Sequence, residues 1–124
     1  MKVLIVDDSW LLRRTLRRKL GQAGMGDHEF LEAENGRAAL EMAEQCSVDL
    51  ILCDWSMPEM NGIELLEAIE DAQLPIPCFL VTSEATEDMR RRAAEAGALG
   101  LISKPFTTET LANALMGFLG RSPA

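Results

Sequence analysis

The chain has little basic charge for its size, no paired cysteines, a single histidine and no long apolar run. Each scarcity excludes something. Lys and Arg number 12 against 20 Asp and Glu, a net charge of −8, so the phosphates of a nucleic acid would be repelled. The basic residues present cluster at Arg13, Arg14, Arg17, Arg18 and Lys19 and again at 90–92, and they read as the solvated faces of two helices. Cys46, Cys53 and Cys78 are odd in number and form no C-x-x-C pair. Two of them sit inside apolar runs, which reads as reduced thiols packed as small hydrophobes in a reducing compartment. The amino-terminal run KVLIV is far too short for a signal peptide or a membrane span, and no other stretch approaches the length needed. These absences point to a cytoplasmic protein with no membrane partner. The lone His28 lies in a Gly-rich connection and reads as a loop residue.

What is present is the balance of a folded domain: 48% hydrophobic and 26% charged residues over 124 positions. That length fits one domain, 1–124, with a core of its own and no internal linker or low-complexity segment. Short apolar runs alternate with amphipathic stretches five times. The runs are KVLIV at 2–6, a weaker one at 29–33 carrying Phe30 and Leu31, LILC at 50–53, CFLV at 78–81 and LGLI at 99–102. Asp7-Asp8-Ser9 suits the start of a helix bearing Leu12, Leu16 and Leu20, which stops near Gly21 or Gly24. Asn35-Gly36 leads into a helix with Ala39, Leu40 and Ala43, and the loop WSMPEMNG into one with Ile63, Leu66 and Ile69. A fourth helix spans roughly 86–96 and closes at Gly97. Thr107 or Thr108 caps the last, which buries Leu111, Leu115 and Phe118.

Strands this short and apolar, alternating with helices, imply a parallel sheet covered on both faces. Right-handed crossovers make it an α/β, doubly wound, five-stranded parallel sheet with five helices, of which the flavodoxin-like order 2-1-3-4-5 is the common solution. In such sheets sites lie at the carboxyl ends of the strands, where the order reverses. The polar residues obey that rule. Strand one delivers Asp7 and Asp8, strand three Asp54, strand four Thr82 and Ser83, and strand five Lys104. Asp7 and Asp8 alone would pass as helix caps. Asp54, Thr82 and Lys104 at the matching ends of three other strands make a site the better reading.

Three carboxylates held together raise one another's pKa unless a cation intervenes, and oxygen-only ligands suit Mg²⁺. A carboxylate can attack phosphorus to give an aspartyl phosphate. Charge on the transferring oxygens is then stabilised by positioned cations and donors: Mg²⁺, the Lys104 ammonium, and the Thr82 hydroxyl or a backbone N–H. No general base is required, because the nucleophile is already ionised.

LIVDD at 4–8, LCDWSMPEMNG at 52–62, LVTSEA at 80–85 and SKPF at 103–106 together resemble the receiver domain of two-component response regulators. The likeness runs from Lys2 to about Leu119. The Asp54-Trp55 dipeptide, and Glu84 two residues beyond Thr82, are most similar to the stand-alone chemotaxis members. The resemblance implies phosphotransfer from a histidine kinase to Asp54. It implies Mg²⁺ held by Asp8, Asp54 and the Ser56 carbonyl, with Asp7 acting through water. It also implies a cis peptide before Pro105 that aims Lys104 inward, and a downstream protein bound on the fourth helix, fifth strand and fifth helix. The chain stops at Ala124, just past the fifth helix, so no effector domain is expected, and the unphosphorylated form is expected to be a monomer.

Three positions depart from the family pattern. Leu101 stands where an aromatic ring is usual, and the chain contains no tyrosine, which excludes an aromatic rotamer switch there. Ser56 and Ser83 stand where Asn and a smaller residue are frequent, on the route of an attacking water. Gly62 fits the family's loop, where the backbone is expected at φ > 0. The switch and lifetime positions are therefore Thr82, Ser83, Glu84, Leu101 and Pro105. The alternatives are a phosphorelay intermediate or phosphate sink outside motility, and more remotely an Mg²⁺-dependent aspartyl phosphatase. The phosphatases of the dehalogenase type carry a second Asp where Ser56 stands here. A flavin module ranks last, since Asp7-Asp8 would repel a phosphate after strand one.

Overall fold

A computed structural model of the chain describes residues 1–119. The expectation of one domain reaching residue 124 therefore extends past the described residues. Five parallel strands, β1 (Lys2–Val6), β2 (Glu29–Ala33), β3 (Leu50–Asp54), β4 (Cys78–Thr82) and β5 (Gly100–Ser103), form one sheet in the order β2-β1-β3-β4-β5. The expected doubly wound order is the observed one. Asp54 and Thr82 are the last residues of their strands, and β5 begins one residue later than its apolar run.

Pleating divides each strand between two cores. Val3, Ile5, Leu50, Leu52, Phe79 and Val81 meet Leu16 and Leu20 of α1 (Trp10–Leu20) and Leu111 and Leu115 of α5 (Thr108–Leu119). The alternate residues Leu4, Val6, Ile51, Cys53, Cys78 and Leu80 meet α2 (Gly36–Gln45), α3 (Gly62–Asp71) and α4 (Glu87–Glu95) through Ala39, Leu65, Leu66, Ile69 and Ala93. Leu4, Ile5, Leu50, Ile51 and Leu80 are wholly enclosed, each stabilising the fold by about 1.5–3 kcal/mol relative to an exposed side chain. Phe118 stands edge-on to Phe79, with ring centroids 6.4 Å apart.

Helix starts follow the polar signals. Ser9, Asn35, Asn61 and Thr86 accept the backbone N–H of Leu12, Ala38, Glu64 and Met89, and Asn61 with Glu64 closes a reciprocal capping box. The Thr107 hydroxyl accepts the Thr110 N–H and so caps α5. After α1 the chain winds through one wider turn, Gly21–Met25, in which Gly24 takes φ +96°. Gly97 after α4 is likewise left-handed, at φ +93°. Among the described residues no helix is long and apolar enough to cross a membrane.

Two sequence expectations need correction. Gly62 is not among the left-handed residues; an added Cβ would lie 2.7 Å from Leu80 Cδ2 and 3.0 Å from the Asp54 carbonyl. Close packing behind the third strand, not backbone sign, is what demands glycine there. The basic residues of α1 do not form one solvated face. Arg13 retains only 12% side-chain exposure, and Lys19 is half-buried, donating to the Phe106 carbonyl at 3.0 Å. Long side chains that run back along a helix surface reach groups a periodicity argument does not see.

Candidate functional site

The chain leaving β1, the end of β3 and the residue after β5 bring carboxylates and an ammonium into one crevice. β1 pairs in parallel with β3, so the chain leaving it carries Asp7 and Asp8 beside the end of β3, where Asp54 sits. One carboxylate oxygen of each of Asp7, Asp8 and Asp54 lies within 4.8 Å of the other two. Asp7 and Asp54 are buried, each with 6% exposure, whereas Asp8 faces solvent. Lys104 directly follows β5 and is joined to Pro105 by a cis peptide, and its Nζ lies 2.8 Å from Asp54 Oδ1 and 3.7 Å from Asp7 Oδ2. Its ammonium thus neutralises part of the acidic cluster, a short charge-assisted bond on the phosphoacceptor candidate itself.

Asp7 is held from three directions. Its N–H donates to the Ala33 carbonyl at 3.1 Å, its Oδ1 accepts the Ser9 N–H at 2.9 Å, and its carbonyl accepts Arg13 Nη1 at 2.7 Å. Burial pushes the Asp7 carboxyl above its ordinary pKa; the Ser9 N–H opposes this, Asp54 adds to it, Lys104 opposes it and Asp8 adds again. Mutual repulsion is therefore real but secondary to desolvation. An oxygen-only cluster with a buried carboxylate biased against ionisation is a donor set that a hard divalent cation fits.

Thr82 is buried, and its hydroxyl accepts the Glu84 N–H at 3.2 Å. Ser56, Ser83, Glu84 and Pro105 are exposed. Leu101 is half-buried against the core that contains Leu80, with no polar group to exchange. Trp55 is buried next to Asp54, and the Arg92 guanidinium lies over its ring at 5.3 Å. Trp10 is 61% exposed and stacks with Arg14 at 5.4 Å. His28 stands apart from the cluster, its Nδ1 3.0 Å from the amino terminus. Sequence reasoning missed Arg13. The available signal was its spacing, one helical turn after the Ser9 cap, which turns it back toward the end of β1.

A family model described as the response regulator receiver domain matches residues 3–116. The chemotaxis protein CheY of Pseudomonas aeruginosa is 41% identical over 113 residues, covering 90% of each chain. The chemotaxis protein CheY-3 of Vibrio cholerae is also 41% identical over 113 residues, 90% of this chain and 85% of that one. Among solved structures, chemotaxis protein CheY4 of Vibrio cholerae superposes with a TM-score of 0.83 at 34% identity, covering 94% of this chain and 96% of that one.

Proposed function

The chain belongs to the response regulator receiver family and is a phosphoacceptor signalling switch, and we propose that Asp54 is its acceptor, served by Mg²⁺, Lys104 and Thr82. The observation that supports this reading is the convergence of three carboxylates within 4.8 Å, with the Lys104 ammonium 2.8 Å from Asp54. Asp54 Oδ attacks phosphorus as the donor's P–N bond to a kinase histidine breaks, and the electron pair leaves on the imidazole nitrogen. Mg²⁺, when bound, supplies positive charge to the transferring phosphoryl oxygens; Asp8, Asp54 and the Ser56 carbonyl would hold it, and Asp7 through water. Lys104 sits close enough to Asp54 to follow a phosphoryl oxygen once the acyl phosphate forms, and the Thr82 hydroxyl, which accepts the Glu84 N–H, has its own proton to donate to that group.

The two curated relatives are chemotaxis proteins, and we assign this chain to a pathway of the same kind, with a histidine kinase as donor. Output passes to a downstream protein over α4, β5 and α5, where Leu99 and Met116 are exposed, and the unphosphorylated protein is a monomer. Ser56 and Ser83 set the phosphoryl lifetime by shaping access of water. Labelling with acetyl phosphate and Mg²⁺ tests the acceptor. Wild type takes up an acid-labile, hydroxylamine-sensitive label and Asp54→Asn takes up none; undiminished label on the variant sinks the assignment.

A further inference from the structure

Among the described residues, Arg13 is the one strongly basic side chain that reaches into the frame of the acidic cluster without touching a carboxylate of it. Its Nη1 donates to the Asp7 carbonyl at 2.7 Å, and its Nε donates to Glu32 Oε1 on β2 at 2.9 Å. The second oxygen of Glu32 takes Arg17 Nη1 at 3.3 Å, so the carboxylate is held from both sides. With the Asp7 N–H already bonded to Ala33, also on β2, Asp7 is fixed at both ends of its own backbone. The Asp7 carbonyl and the Asp8 nitrogen share one planar peptide unit. Fixing that carbonyl therefore fixes the direction in which Asp8, the exposed member of the cluster, leaves the strand.

We propose that Arg13 is a positioning residue that presets the Asp7–Asp8 peptide for cation binding. The proposal rests on the reading of the cluster as an Mg²⁺ site. Two roles of an arginine near such a site have opposite signs. As a bare positive charge Arg13 competes with a divalent cation, and removing it tightens binding. As a brace it holds a ligand in place, and removing it weakens binding; groups that orient metal ligands typically contribute about 10–100-fold in affinity. Acting through backbone, Arg13 should contribute at the lower end. Arg17 is the internal control. It loses the same charge on truncation, reaches the same Glu32, is 52% exposed and makes no bond to Asp7.

The test is Mg²⁺ titration by Trp55 fluorescence in a Trp10→Phe background, with amide exchange at Asp8 and Ser9 followed in the metal-free protein. Arg13→Ala is expected to weaken Mg²⁺ binding roughly 10-fold and to speed exchange at Asp8. Arg17→Ala should bind as tightly as wild type or slightly tighter. Arg13→Lys keeps the charge but has one donor head, which cannot span both acceptors; it should fall between, and it carries the test if Arg13→Ala does not fold. Unchanged or tighter Mg²⁺ binding by the Arg13 variants overturns the proposal. A wild type showing no Mg²⁺ response dependent on Asp8 and Asp54 would overturn the metal reading instead. Exchange then decides the brace: faster at Asp8 in Arg13→Ala than in Arg17→Ala upholds it, equal rates refute it.

Discussion

The two sides of the site are built to different standards of rigidity. On the β1 side Asp7 is bonded through its N–H, carbonyl and carboxylate, and α1 begins three residues later under the Ser9 cap. On the β4 side Ser83 and Glu84 are exposed, the Thr82 hydroxyl accepts a bond from Glu84, and α4 begins only at Glu87. α4 itself buries only Ala93 among its residues. Local opening is cheap where few buried contacts and few bonds must be given up. The contrast suits a switch: the side proposed to receive cation and phosphoryl group is preset, and the side proposed to face a partner can be repopulated by a small differential energy.

Lys104 spans both halves, so removing it should break the comparison most severely. Lys104→Ala deletes the bond to Asp54 and the weaker pairing with Asp7, while leaving the proposed nucleophile and the other carboxylates. Acetyl phosphate labelling should persist at a reduced rate, whereas phosphorylation-dependent partner binding should be lost. A variant that still binds its partner only when phosphorylated would show that the β4 and β5 side senses Asp54 without the lysine.

Gly62 tests how tightly the acceptor strand is backed. A Cβ there meets Leu80 and the Asp54 carbonyl, and backbone cannot yield as a flexible side chain can. Gly62→Ala should cost roughly 1–3 kcal/mol in urea unfolding, the usual penalty of overpacking, and should slow labelling by shifting Asp54. Loss of stability with unchanged labelling would mean that the acceptor tolerates movement of its support.

The order of the strands and the carboxyl-end cluster were legible because alternation and strand ends leave marks in sequence. KVLIV ends in Asp7-Asp8 and LILC in Asp54, and a parallel sheet must bring such ends together. Gly62 was legible as a special glycine but not for its reason, since the contact with Leu80 is a tertiary distance. Arg13 was legible only in its spacing after the Ser9 cap and not in its bonds: one acceptor is a backbone carbonyl, and the other, Glu32, lies 19 residues along the chain. The Arg92–Trp55 stacking is hidden in the same way, between a helix surface and a residue at the end of another strand.

The rigid side has a cost that pH exposes. Burial raises the Asp7 carboxyl, so the folded protein holds that proton more tightly than the unfolded chain does. Stability from this group is present below the ordinary carboxylate pKa and is lost as pH rises through the raised one. In EDTA at pH 7, Asp7→Asn, which keeps an oxygen for the Ser9 N–H, should therefore be more stable than wild type by roughly 1 kcal/mol. The gap should shrink toward pH 4. A variant less stable than wild type at pH 7 would show that the Ser9 and Lys104 contacts outweigh desolvation.

The smallest expected effect concerns how the loose side moves. Leu101 is half-buried against the core and carries neither ring nor hydroxyl, so it has no polar partner to exchange between two states. A residue that interacts equally with two states shifts nothing between them. Thr82 differs, because its hydroxyl, which accepts the Glu84 N–H, has a proton that it can donate to a phosphoryl oxygen. Coupling should then run through Thr82 and the loop after β4, and Leu101 should matter to stability alone. Partner affinity, measured with and without a phosphoryl mimic, gives a ratio that separates the two. Thr82→Ala should lower that ratio by a few-fold, about 1 kcal/mol or less, the net worth of one hydrogen bond. Leu101→Ala should destabilise the fold and leave the ratio intact. The reverse pattern, a collapsed ratio in a folded Leu101→Ala and an unchanged one in Thr82→Ala, would move the switch from the hydroxyl to β5 packing.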